Sequence, residues 1–98
     1  MESKKIIIFW SKRAANSLEK IFNYYFDLSE PSAERIRKDI LKTVASLRFV
    51  EQYQVDEINP DYRRMIIKHY KIIYKIKKNK LFIINIFDNR QHPIKSKI

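Results

Sequence analysis

The stretch RRMIIKHYKIIYKIKKNKLFIINIFD, residues 63–88, decides the fold. Its hydrophobic period is two, not the 3.6 of a helix. Tyr70, Ile72, Tyr74 and Ile76 fall on one face of the middle segment, and Lys71, Ile73, Lys75 and Lys77 fall on the other. RRMIIKH before it is a second strand candidate. LFIINIFD after it is apolar on both faces, the mark of a strand with neighbours on either side. KKNK, residues 77–80, is the turn between them. The chain contains no glycine, so Asn79 and Asn89 are the residues expected to take any left-handed conformation.

Before this stretch the period changes. KKIIIFW, residues 4–10, is β-branched and aromatic and reads as a first strand. Ser11 follows as a helix cap, and Ala14, Leu18, Ile21, Phe22, Tyr25 and Leu28 recur at three- and four-residue intervals on one helical face. Pro31 breaks that pattern and suits the first turn of a second helix. In that helix Ala33, Ile36, Ile40, Val44 and Leu47 repeat the period. From Arg48 to Asp61 periodicity fails and the reading is mostly loop. The predicted order is β-α-α-β-β-β: an α+β domain with an N-terminal helical hairpin packed on an antiparallel sheet. At 98 residues the chain has room for one core, so residues 1–98 are expected to form a single domain.

The chain carries 21 Lys and Arg against 11 Asp and Glu, a net charge of +10. Residues 1–59 hold ten basic and nine acidic side chains; residues 60–98 hold eleven basic ones against Asp61 and Asp88 alone. A cationic third of this kind collects polyanions, so on charge alone nucleic acid, an acidic protein and an anionic membrane surface all stay open as partners. The apolar runs IIIFW and LFIINIF are too short to span a membrane, no signal peptide is visible, and no membrane partner is expected. The absence of cysteine fits the cytoplasm. It also removes disulfides and thiolate metal sites, and two histidines without a carboxylate cluster offer no metal centre. No cofactor is expected.

Candidate functional residues are therefore cationic: Arg63, Arg64, Lys68, Lys71 and Arg90, whose guanidinium and ammonium groups suit phosphates and carboxylates. His92 stands just beyond the last strand with an imidazole that titrates near neutrality. His69 has the weaker claim, in a tight connection, and Tyr70 and Tyr74 are expected to pack in the core.

The ordered set of segments resembles the RelE/ParE superfamily of type II toxin–antitoxin toxins. IIIFWSKRAANSLEKIFNYY is similar to that family's first strand and first helix, SAERIRKDILKTVASL to its second helix, YRRMIIKHYKIIYKI to its hairpin, and IINIFDNRQHP to its closing strand and Arg-Gln-x-Pro tail. The resemblance implies a toxin silenced by an acidic cognate antitoxin. It also implies one of two targets: DNA gyrase in ParE-like members, or messenger RNA on the ribosome in RelE-like members, which cut it without a metal. By position, Lys71 and Arg90 fall where the RNase branch has catalytic arginines, and His92 is the candidate proton-transfer group. Met65 stands where that branch has a lysine, and the tail PIKSKI lacks its usual tyrosine or histidine. The Arg-Gln-x-Pro ending favours the ParE-like side. Whether the chain is an enzyme stays open, as does a non-toxic nucleic-acid-binding module.

Overall fold

The computed structural model describes residues 5–48 and 52–90. Strand β1 (Ile7–Trp10) leads into helix α1 (Lys12–Leu28) and helix α2 (Glu30–Ala45), followed by β2 (Arg63–Ile67), β3 (Tyr70–Lys77) and β4 (Lys80–Asp88). The sheet order is β1-β4-β3-β2. The β-α-α-β-β-β expectation is met, and LFIINIFD is indeed an interior strand.

The sheet is mixed, however. β2–β3 and β3–β4 are antiparallel hairpins, whereas β1 lies parallel to β4. A two-residue turn forces its strands antiparallel. β1 reaches the sheet through two helices, so no such turn sets its direction.

Local chemistry explains the helix boundaries. The Ser11 hydroxyl accepts from Ala14 N at 3.0 Å and donates to Ile84 O at 2.7 Å, so one side chain starts α1 and ties it to β4. Ser29 ends α1 through its N–H to Tyr25 O and caps α2 by accepting from Ser32 N at 3.1 Å. Pro31 lies in the first turn of α2, where its missing N–H costs nothing.

The core lies between the helices and one sheet face. It contains Ala14, Ile36, Ile40, Val44 and Leu47 from the helical side and Met65, Tyr70, Ile72, Tyr74, Leu81, Ile83 and Ile86 from the sheet. Every apolar position expected of α2 is buried there. In α1 the stripe stops short, because Leu28 in its last turn is exposed.

Two backbone features depart from the sequence expectation. The left-handed residues are Lys68, at φ 53°, and Lys78, at φ 58°; Asn79 and Asn89 are not among them. Both lysines are the first of the two residues linking neighbouring strands, where hairpin twist demands positive φ whatever the side chain. β4 also carries a bulge. Ile73 pairs with Asn85 while Tyr74 pairs with Ile83, leaving Ile84 unmatched. Asn85 meets α1 there, its Oδ1 accepting from Ser17 Oγ at 2.6 Å.

Candidate macromolecular interface

The carboxyl end of β4 is where the chain leaves the core and where polar groups collect. Tyr70 pairs with Asp88, and Asn89 N donates to His69 O at 2.6 Å, which keeps the start of β3 beside the exit of β4. Arg90 then folds back on Asp88. Its backbone N–H donates to Asp88 Oδ1 at 2.9 Å and its guanidinium reaches both carboxylate oxygens, Nη2 to Oδ2 at 2.7 Å. The Arg90 hydrogen bonds hold the Asp88 carboxyl below the usual carboxylate range, against a smaller upward pull from burial. Asp88 in turn raises the Arg90 guanidinium further above its ordinary value.

A cleft of about 480 Å³ opens between this end and α1. Ser17, Lys20, Ile21 and Tyr24 line it from the helix, at the spacing that sets side chains on one helical face. Tyr70, Asp88 and Arg90 line it from the sheet. Beside Tyr70, one of its lining residues, Tyr25 OH and His69 Nε2 share a 3.3 Å hydrogen bond, and the His69 ring lies 4.3 Å from that of Tyr70. Burial, followed by the neighbouring Tyr25, pushes the Tyr70 phenol well above the ordinary tyrosine value. The cleft thus offers two cations, Lys20 and Arg90, beside aromatic surface and one carboxylate.

The other expected cations sit elsewhere. Lys68, in the β2–β3 turn, reaches Asp39 of α2 at 3.6 Å. Arg63 donates to Tyr53 O at 2.6 Å. Arg64 lies across the sheet, donating to Gln54 Oε1 at 3.1 Å and approaching Asp56 Oδ1 at 3.7 Å. Lys71 is 5% exposed, with its Nζ 2.9 Å from Asp56 Oδ1. These groups do not form one site. Arg90 and Lys68 stand at the end of the sheet marked by the β2–β3 turn, while Arg63 and Arg64 open β2 at its other end. His92 lies outside the described residues.

Asp56 was not singled out from sequence. It is 1% exposed, and its Oδ2 accepts from Asn59 N and from Asn59 Nδ2, each at 2.9 Å. Burial pulls its carboxyl upward, but Lys71 and the two Asn59 bonds outweigh that and hold it below the usual value. Residues 48–61 carry no periodicity, so nothing there distinguished a buried carboxylate from a solvated one. Lys20 and Tyr24 were missed for a related reason: exposed helix positions carry no pattern of their own. Among the described residues no group of His, Asp and Glu is placed to hold a metal ion, and no helix is long and apolar enough to cross a membrane.

Residues 8–93 match the family model for the ParE toxin of the type II toxin–antitoxin system parDE. The chain belongs to the ParE toxin family. Among solved structures, one from the chromosomal ParDE TA system of P. aeruginosa covers 85% of this chain and 95% of its own, with a TM-score of 0.72 and 22% identity. At that identity the likeness is one of fold. No curated protein matches this one by sequence. The family makes this chain the toxin component of a type II module.

Proposed function

We propose that this toxin arrests growth in the cytoplasm by ParE-like inhibition of DNA gyrase and is neutralised by an acidic cognate antitoxin. The observation that carries the choice of target is the state of Lys71. Resemblance to the RNA-cleaving branch aligns it with a catalytic arginine, yet here its ammonium is buried and ion-paired to Asp56. A group held in that way is committed to structure and does not stabilise a developing phosphorane charge. Binding without chemistry then falls to the exposed groups of the α1–β4 cleft. Arg90 and Lys20 provide charge and Tyr24 provides aromatic area in the cleft, and Lys68, Arg63 and Arg64, outside it, add cationic contacts around the sheet. Arginine and tyrosine are the residue types that anchor protein interfaces.

The test is a supercoiling assay with purified toxin and gyrase, run beside a toeprint on a translating ribosome. Loss of supercoiling with intact message is the expected result. Unaffected supercoiling defeats the reading, and cut message with normal supercoiling replaces it with ribonuclease action. That second reading draws on the imidazole–phenol pair His69–Tyr25 beside Tyr70, which lines the cleft, as groups able to move a proton.

A further inference from the structure

The two edges of the sheet differ. At one, β2 is covered: Arg64 N donates to Gln54 O at 2.9 Å, and Val55 bridges Arg63. At the other, β1 has β4 on its inner side, and among the described residues no segment pairs with its outer side. Two bonds fix which backbone groups are left over. Ile7 N donates to Asn79 O at 2.8 Å and Ser11 N to Ile83 O at 3.0 Å. Successive residues of a strand alternate in direction, so the N–H and C=O groups of Ile6, Ile8 and Trp10 point away from the sheet. Natural edges commonly carry a charge, a proline or a bulge that stops a further strand from adding. Between Ile6 and Trp10 there is no charge and no proline, and the β1–β4 register is unbroken. The same strand holds apolar side chains open to solvent: Ile7 is 47% exposed, Ile8 36% and Phe9 43%.

This edge is complementary to itself. An antiparallel copy with its two-fold axis at Ile8 sets Ile8 against the partner's Ile8, and Ile6 against the partner's Trp10. Every outward backbone group is then paired, in about six hydrogen bonds. Ile7 comes to lie across from the partner's Phe9 and Phe9 across from the partner's Ile7, aromatic–β-branched pairs of the kind that stabilise sheets. Phe9 already stacks on Phe82 at 5.4 Å, so the apolar strip continues over the seam. Moving the axis to Ile7 sets Phe9 against the partner's Lys5, and moving it to Phe9 sets Ile7 against the partner's Ser11. The Ile8 register keeps apolar side chains together. An acidic segment fits less well, because no cation lies between Ile6 and Trp10 to meet it.

We propose that β1 is a homodimerisation edge: two copies of this chain join β1 to β1, antiparallel about Ile8, into one continuous sheet. So short a seam buries less than roughly 1,200 Å² in total, the range of weak and reversible contacts, and the dimer forms at about 10–100 μM. Each copy carries a net charge of +10 while the seam carries none. Salt therefore strengthens the association by screening the repulsion between copies.

The experiment is sedimentation velocity of the full-length chain over concentrations that bracket this range. Wild type should pass from monomer to dimer, and at several-fold lower concentration in about 0.5 M salt than in about 0.05 M. Ile8→Pro removes an outward N–H, which an edge strand tolerates, and should weaken the dimer about tenfold or more. Ile7→Lys should weaken it similarly. Ile66→Lys, which adds the same charge at a 49% exposed residue of β2, should not. The chain has no cysteine, so an introduced pair reads the register. A mixture of Ile7→Cys and Phe9→Cys should cross-link on oxidation far faster than either variant alone. A wild type that stays monomeric throughout overturns the proposal, as does an Ile66→Lys variant weakened as much as Ile7→Lys. Cross-linking as fast in one cysteine variant as in the mixture refutes the register, and a dimer that salt dissociates refutes the uncharged seam. Should the β1 variants fail to fold, hydrogen exchange on the wild type decides. The Ile8 amide must gain protection with concentration while the Ser11 amide, bonded to Ile83 O, stays constant. An Ile8 amide protected at every concentration assigns the edge to another segment of the same chain and sinks the dimer. None of these readouts involves gyrase or an antitoxin, so they stand or fall apart from the toxin's target.

Discussion

Single side chains set the sharpest expectations. Asp56 is buried against Lys71, and removing one partner of such a pair leaves the other charge uncompensated at a cost of roughly 3–5 kcal/mol. Asp56→Asn should accordingly lower the urea midpoint strongly, while Asp56→Leu/Lys71→Met should recover most of the loss. The pH dependence follows from the direction of the shift. The folded carboxyl lies below its unfolded value near 3.8, so its contribution is complete above that pH and disappears as the pH falls through the lower, folded value. Tyr74 is the opposite case. Its ring is fully buried, its hydroxyl has no hydrogen-bond partner among the described residues, and burial pushes the phenol up to about 12. A buried, unpartnered hydroxyl costs about 1–3 kcal/mol in desolvation. Tyr74→Phe should therefore stabilise the fold by about 1 kcal/mol in chemical denaturation. It should also blunt the alkaline loss of stability, because the raised folded value preserves the wild type below pH 10 and fails it as the pH climbs towards 12.

At the level of elements, the hairpin turns carry a cost that composition imposes. With no glycine in the chain, Lys78 takes φ 58° in the β3–β4 turn, a conformation costing an L-residue roughly 1–2 kcal/mol. Lys78→Gly should stabilise the fold, by about 0.5–1 kcal/mol in chemical denaturation after the glycine's added unfolded-state entropy is counted. Asn79→Gly should not, since Asn79 does not have positive φ. What was legible in the sequence follows the same division. The two helices and the three later strands were visible because period and burial coincide, and the core face of β3 came out residue by residue. The parallel seat of β1 was not visible, because strand direction depends on connections that leave no mark on local pattern. The lysines at positive φ were hidden by intrinsic preference, which hairpin geometry overrode. Of the candidate site, Arg90 was found as a charge leaving a buried strand. Asp56 was not, since burial of a loop carboxylate is decided by Lys71 on a distant strand.

Among the described residues, the lysines and arginine of the strand connections stand in two groups at opposite ends of β3. Lys77, Lys78 and Lys80 crowd the β3–β4 tip, while Lys68 and Arg90 stand at the opposite end of β3, about 26 Å away for an eight-residue strand. The two ends should behave differently against a large anionic or acidic partner. Arg90 lies on the rim of a cleft, so losing it removes a seated contact and shortens the life of the complex. The tip lysines surround no cleft among those described, so their effect is long-range attraction during approach. Arg90→Ala should leave the melting temperature nearly unchanged, as its pair with Asp88 is exposed and screened by solvent. It should nevertheless weaken gyrase inhibition by roughly tenfold or more, through faster dissociation. Replacing Lys77, Lys78 and Lys80 together by glutamate should slow association at low salt and lose most of that effect by about 0.3 M salt, where screening shortens the reach of surface charge to a few ångströms. Stopped-flow association and dissociation rates for the two variants, measured across ionic strength, separate seat from steering; a tip variant that alters only dissociation contradicts the division.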